Sequence, residues 1–287
     1  MRLATWEARG AERFGVVTAD GGLIDLSKRL EGRFASLLDV IRAGAAAEIA
    51  TLVEGAQADG KVSDVALLPP VPRPGKIVCV GVNYPERNAE YKDGSEAPKY
   101  PSLFVRFPHS FVGHGSPILR PPESTQYDYE GEIVIVIGKA GRRIPEMRAH
   151  EHVFGLTLMN EGSVRDWLRH GKFNVTQGKN FDRSGSIGPW IVTRDEAGDL
   201  NNLDIVTRVN GEERQRGNTG TLMFPFARII NYVSTFTTLE AGDCIATGTP
   251  PGAGARFDPP RWLKAGDVVE VECPAIGVLR NDVKDEM

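Results

Sequence analysis

Glu130 and Glu132 stand two residues apart at the head of Ile133-Val134-Ile135-Val136-Ile137-Gly138, a short β-branched apolar run closed by glycine. Such a run reads as a buried strand rather than a helix. On a strand, side chains two apart leave the same face, so both carboxylates aim at one point. Two like charges entering a core repel each other and lose hydration. A hard divalent cation removes both penalties, because carboxylate oxygens are its preferred ligands. A pair of exposed glutamates, or two satisfied by Lys and Arg, would need no metal. Glu161 is a third acid of the same kind, in Met159-Asn160-Glu161-Gly162 after the strand-like Phe154–Leu158. Strand ends let a side chain reach a pocket while the sheet holds it still. Three oxygen donors with positions left for water or substrate form a Mg2+ or Mn2+ pattern, whereas zinc calls for His or Cys. Asp166 competes for the third place, but its neighbour Arg165 favours an ion pair or helix-end contact.

Other groups are weaker when read alone. Lys179, in Gln177-Gly178-Lys179-Asn180, could stabilise enolate charge beside a metal-bound oxyanion, although an isolated lysine belongs on the surface. Thr247-Gly248-Thr249-Pro250-Pro251-Gly252-Ala253-Gly254 is a glycine-rich loop whose N–H groups and hydroxyls suit a carboxylate, or else an ordinary tight turn. Glu86 and Glu90 lie four apart after Asn83-Tyr84, so a general base there competes with two solvated helix glutamates. His109, His114, His150, His152 and His170 show no triad or metal spacing, and no serine sits in a nucleophile elbow.

The elements that must position these groups are mostly strands. Ile77–Val82, Ser102–Arg106, Ile133–Ile137, Phe154–Leu158, Trp190–Val192, Asp204–Val209, Asp243–Ala246, Val268–Glu272 and Gly277–Asn281 have strand composition. Phe226, Ile229, Ile230, Val233 and Phe236 repeat at helical spacing after Pro225 and predict one core-facing helix. Before them, Arg2–Trp6, Phe14–Thr18 and Leu23–Leu26 read as strands, and Phe34–Arg42 and Ala45–Ala56 as helices. The proline-dense Leu68–Gly75 then suggests a boundary, giving a small accessory domain over 1–70 and a catalytic domain over 71–287. Strand and helix do not alternate, which argues against a doubly wound nucleotide-binding sheet.

The bulk numbers agree with a small-molecule enzyme. The 287 residues carry 34 Lys and Arg against 38 Asp and Glu, a net charge of −4 without a basic block, which disfavours nucleic acid. Cys79, Cys244 and Cys273 are odd in number and widely spaced, as in a reduced core rather than a disulfide frame. No apolar stretch approaches a membrane span, and the first residues lack a signal-peptide core, so a cytoplasmic location is expected.

The ordered set Gly81-Val82-Asn83-Tyr84, Asp128-Tyr129-Glu130-Gly131-Glu132, Ser163-Val164-Arg165-Asp166, Gly178-Lys179-Asn180-Phe181-Asp182, Gly188-Pro189-Trp190 and Thr247-Gly248-Thr249-Pro250 resembles the fumarylacetoacetate hydrolase family. Gly217-Asn218-Thr219 and Leu263–Val271 extend the likeness over about residues 70–285. The resemblance implies an α+β, β-rich fold: a mixed β-roll, here with a small N-terminal α+β domain, usually dimeric. It implies Mg2+ or Mn2+ on Glu130, Glu132 and a third acid, with Lys179 touching the substrate and Thr249 its carboxylate end. Tyr84 and Arg87 are expected beside the substrate as well. Two departures stand out. Glu161 takes the place of the usual aspartate, and Arg87 that of a histidine normally paired with a glutamate, here Glu90. Arginine stays protonated, so a His–Glu water-activating dyad is missing.

The resulting expectation is a metal-dependent hydrolase cleaving a C–C bond in a small 2-oxo or 2,4-dioxo acid of the acylpyruvate or fumarylpyruvate type, with Glu90 and Lys179 as catalytic groups. A 2-oxo-diacid decarboxylase or hydroxymuconate-type isomerase is the alternative, since enolate stabilisation serves these too. A non-catalytic metabolite-binding protein is the third.

Overall fold

The computed structural model describes residues 1–90, 98–171 and 175–287. Among these, two sheets hold all but two of the strands. The larger has twelve strands. From one edge its path runs Gly60–Lys61, Gly22–Asp25, Ala11–Val17, Arg2–Ala8, Gly185–Thr193, Val153–Asn160, Gly131–Ile137, Cys244–Ala246, Ile77–Val80 and Leu103–Val105. Ala66–Leu67 pairs with Arg2–Ala8, and Phe111–Val112 with Gly185–Thr193. The smaller sheet orders Glu212–Asn218, Asp204–Val209, Val268–Cys273, Gly277–Asp285 and Ile118–Arg120. Most pairs are antiparallel, with parallel ones such as Ile77–Val80 against Cys244–Ala246, so the architecture is mixed, β-rich α+β.

The strand Gly131–Ile137 is buried along its whole length and lies between Val153–Asn160 and Cys244–Ala246. A strand covered on both faces must read as a continuous apolar run, which explains its sequence. Alternate residues enter two cores. Ile133, Ile135 and Ile137 join Leu156, Leu158, Ile205, Ile229 and Val233, while Val134 and Val136 join Leu3, Phe14, Ile41 and Ile191. The second core draws residues from Leu3 through Ala246. Likewise Arg2 and Leu3 pair with Val192 and Ile191, so the N-terminal strand continues the main sheet.

The helix Phe226–Phe236 follows Pro225 as its spacing predicts and buries Phe226, Ile229, Ile230 and Val233. Phe236 departs from that stripe. It is 59% exposed at the last turn and meets Tyr232 edge-on instead of entering the core. In the N-terminal part the helices are shorter than the apolar pattern suggests, Leu37–Arg42 and Ala46–Val53. Ser36 sets the start of the first by accepting the amide of Asp39. All three cysteines are free and buried. No helix among the described residues is long and apolar enough to cross a membrane.

Candidate metal centre and its cavity

The antiparallel register Gly131↔Asn160 and Glu132↔Met159 carries on one residue further, because the Glu161 amide donates to the Glu130 carbonyl at 2.7 Å. Glu130 and Glu161 therefore oppose each other across the ladder, and Glu132 follows Glu130 on the same face. The three side chains are buried, and one carboxylate oxygen from each lies within 4.8 Å of the others. Gly131 is required between the two acids. A Cβ there would meet Thr207 Oγ1 of the second sheet at 2.0 Å, so only glycine lets the sheets close over this strand.

The three acids are unequally satisfied. Glu130 accepts from four donors: Arg165 Nη2 at 2.6 Å, Arg87 Nη2 at 3.3 Å, Ser163 Oγ at 3.1 Å and Lys179 Nζ. Burial works to raise its pKa, but Arg165, Lys179 and Arg87 overcome it and hold Glu130 well below the ordinary carboxylate range. Glu132 accepts the Gly248 amide at 2.8 Å. Burial, then the charges of Glu161 and Glu130, push it well above that range. Glu161 Oε2 takes Lys179 Nζ at 3.1 Å, while its Oε1 is buried without a hydrogen-bond partner. Lys179 sits on the short helix Thr176–Lys179 with its ammonium between Glu130 and Glu161. Burial opposes its charge, but those two acids raise its pKa and keep it cationic.

Arg165 extends the network by binding Asp128 Oδ2 at 2.7 Å as well as Glu130, and with Glu130 and Lys179 it lines a cavity. Its partner is not the adjacent Asp166, which instead accepts Ser124 Oγ at 2.6 Å. Arg165 and Asp128 are functional candidates that reading the sequence missed. Consecutive residues do not face each other, so the adjacent acid was a poor guide. Arg106 lies behind the centre, buried, with Nη1 on the Gly162 carbonyl at 3.0 Å and Nη2 on Ser184 Oγ at 3.1 Å. It braces the turn that carries Glu161.

The structure groups Glu130, Glu132, Glu161 and Lys179. It places the other candidates around them. Arg87 is 2% exposed and brackets Glu90 at 2.6 Å and Glu130, and so faces acids of the protein. Glu90 is held at both oxygens, by Arg87 Nη1 and by the Gly252 amide at 2.9 Å. Thr249 donates to the Gly131 carbonyl at 2.9 Å and accepts from Gln215 Nε2 at 2.8 Å. Tyr84 is buried against Gly217 and borders a different cavity, with Glu86 and Arg216. His109 is exposed on the turn Pro108–Ser110. The glycine-rich loop does present amides to anions, but the anions are internal. Gly248 serves Glu132, Gly252 serves Glu90, and Gly254 and Ala255 serve Asp128 at 2.7 and 3.0 Å. Gly248 takes φ +100° to do so, a conformation that favours glycine.

The profile described as fumarylacetoacetate (FAA) hydrolase C-terminal matches residues 76–284. The chain belongs to the fumarylacetoacetate hydrolase family. Within it, the chain is 36% identical to the oxaloacetate tautomerase YisK of Bacillus subtilis, over 99% of this chain and all of that one. It is 44% identical to the mitochondrial oxaloacetate tautomerase FAHD2A of Bos taurus, over 77% of this chain and 70% of the relative. Among solved structures, maleylpyruvate hydrolase from Sphingobium sp. SYK-6, in complex with manganese(II) and pyruvate, superposes with a TM-score of 0.82 at 28% identity, both chains covered fully. The fumarylacetoacetate hydrolase family thus includes both isomerising and hydrolysing proteins among the relatives of this chain, and all of these act on small molecules.

Proposed function

We propose that this protein is a keto–enol tautomerase of 2-oxo acids that works with one Mg2+ or Mn2+ held by Glu130, Glu132 and Glu161. The observation that carries the reading is the under-satisfied acid pair next to a cationic lysine. Glu161 Oε1 is buried without a partner and Glu132 is destabilised as an anion, so the donor set fits a hard cation. Bound there, such an ion supplies Lewis-acid polarisation of the substrate's carboxylate and oxo oxygens.

The chain's own groups do the rest. Lys179 Nζ, kept protonated by Glu130 and Glu161, hydrogen-bonds the oxygen on which enolate charge gathers, while the proton that leaves or joins the adjacent carbon is exchanged with solvent water. Arg165, fixed by Asp128 and Glu130, lines the same wall and orients the substrate carboxylate. Arg87, Ser163 and Arg106 hold the acids and their turn in place.

Enolisation needs no activated water, and the surroundings of Glu90 favour that simpler chemistry. Glu90 accepts one hydrogen bond at each oxygen, from Arg87 Nη1 and the Gly252 amide, and Arg87 stays protonated, so the His–Glu pair that would activate water is not assembled here. The names of YisK and FAHD2A point the same way. The test follows ketonisation of an enol 2-oxo acid by ultraviolet absorbance, with Mn2+ and after chelation. No acceleration over the Glu132→Gln variant would refute the reading. C–C hydrolysis is the second reading, favoured by the structural likeness to maleylpyruvate hydrolase, and cleavage products from an acylpyruvate would establish it. We also propose that residues 1–70 are an accessory unit beside a catalytic unit over 71–287, and that the enzyme is a cytoplasmic homodimer. Size-exclusion light scattering tests the dimer.

A further inference from the structure

Resting on the enolisation reading, in which Arg165 holds the substrate carboxylate, we propose that Asp128 is a positioning residue for substrate binding. Its carboxylate ties Arg165 to the loop around Gly254, so that loop sets where the guanidinium stands. Asp128 is 0% exposed and is not among the described residues that line the cavity with Glu130, Arg165 and Lys179. It reaches Arg165 through strand register. Tyr127–Asp128 pairs antiparallel with Ser163–Val164, Tyr127 opposite Val164, and the Arg165 amide donates to the Gln126 carbonyl at 3.0 Å. Arg165 thus stands opposite Gln126, and Asp128, two residues on, is its diagonal neighbour on the same face.

Described donors converge on both oxygens of this carboxylate. Oδ1 accepts the amides of Gly254 at 2.7 Å and Tyr129 at 2.9 Å, and Oδ2 accepts Arg165 Nε at 2.7 Å and the Ala255 amide at 3.0 Å. An ionised acid is an acceptor only, with room for such a set. An asparagine would have to turn its NH2 toward two donors whichever way it stands. The loop side is equally constrained, since a Cβ on Gly254 would stand 2.7 Å from Asp128 Oδ1 and collide with the Arg261 carbonyl. The other acid bound by Arg165, Glu130, is a proposed ion ligand, so its charge is shared once an ion binds. Asp128 lies outside that ligand set and keeps its hold on Nε.

The full-length protein with Mn2+ provides the test. KM and kcat are taken from ketonisation of enol oxaloacetate, and the dissociation constant of pyruvate from isothermal titration. Asp128→Asn should raise KM and weaken pyruvate binding about tenfold to a hundredfold, the worth of a charged hydrogen bond. Its kcat and Mn2+ affinity should stay within about threefold, since ground-state binding alone is lost. Arg165→Met should raise KM at least as far. Adding Asp128→Asn to it should change KM by less than about twofold, because the two residues act as one unit. Gly254→Ala should raise KM too, and lose that effect in Arg165→Met. Circular dichroism checks folding, and the Gly254→Ala cycle decides if Asp128→Asn does not fold. Failure of both to fold would show that the clasp serves the fold alone and would overturn the proposal. So would effects that multiply in the double variants, or a fall in kcat at unchanged KM. No ketonisation by the wild type would instead refute enolisation, and the pyruvate titrations would then decide the role of Asp128 by the same criteria.

Discussion

The amide of Glu161 donates to the carbonyl of Glu130 at 2.7 Å, so two of the three clustered acids are held by one step of a β-ladder. Each lies one residue outside a paired strand, Glu130 before Gly131–Ile137 and Glu161 after Val153–Asn160. The centre is preorganised by the same backbone bonds that hold Gly131–Ile137 to Val153–Asn160. Its ion affinity should therefore respond to side-chain chemistry more than to backbone mobility. Glu161→Gln keeps the shape and the ladder while removing a charge. Its Mn2+ affinity should fall by about 10–100-fold or more, since changes at supporting residues alone reach that range. Isothermal titration of the chelated protein checks this, and an unchanged affinity would remove Glu161 from the ligand set.

Lys179 bridges Glu130 and Glu161, and its ammonium is the group proposed to meet the enolate oxygen. Lys179→Met should lower kcat by about 10²–10³, the loss seen when a transition-state donor is removed. KM should move less, because Arg165 remains to hold the carboxylate. A fall in stability without a fall in kcat would make Lys179 a counter-ion only, so thermal unfolding belongs beside the kinetics.

Arg87 joins Glu90, and through it the Gly252 amide, to Glu130. Arg87→Met should cost about 1–3 kcal/mol in urea unfolding, the worth of charged hydrogen bonds lost from the buried Glu130 and the half-buried Glu90, with Glu130 still held by Arg165 and Lys179. Arg87→Lys should recover little of it. A single ammonium lacks the planar fork that reaches both acids at once. An unfolding midpoint equal to wild type would show that the bracket contributes nothing to the fold.

The acids were legible in the sequence because strand periodicity is local: Glu130 and Glu132 point together wherever residues two apart do. That Glu161 faces Glu130 depends on the register of two strands, which no local pattern states. The glycine-rich loop announced amides aimed at an anion, but not that the anions would be Glu132, Glu90 and Asp128 of the chain itself. Thr249 was drawn to the substrate by that reading, while in the fold its hydroxyl joins Gly131 and Gln215. The strand Arg2–Ala8 was legible as a strand, whereas its pairing with Gly185–Thr193 spans most of the chain and left no trace in either segment. Strand composition and the lack of strand–helix alternation argued only against a doubly wound sheet; the mixed, β-rich fold was what the family resemblance implied, and the structure bears it out.

Opposite pKa shifts at Glu130 and Glu132 give the ion-free protein a pH dependence whose sign can be worked out. Glu130 is held below its ordinary 4.5, so its stabilising contribution is present above that value and is lost as pH falls. Glu132 is raised above 4.5 by burial and by Glu161 and Glu130, so the folded chain keeps a proton that the unfolded chain has released. Its contribution is complete below 4.5 and is lost as pH rises through the folded value. A divalent ion takes the place of that proton and relieves the repulsion among the three acids. The rise in melting temperature on adding Mn2+ should therefore grow as pH rises from the ordinary carboxylate value of 4.5 into the neutral range, while the chelated protein loses stability over the same interval. Glu132→Gln should flatten both trends, because the amide has no proton to release. Differential scanning calorimetry with Mn2+ and with chelator checks the pair of slopes. An ion-induced shift that is the same at both ends of the interval would mean that no proton leaves Glu132 when the ion enters.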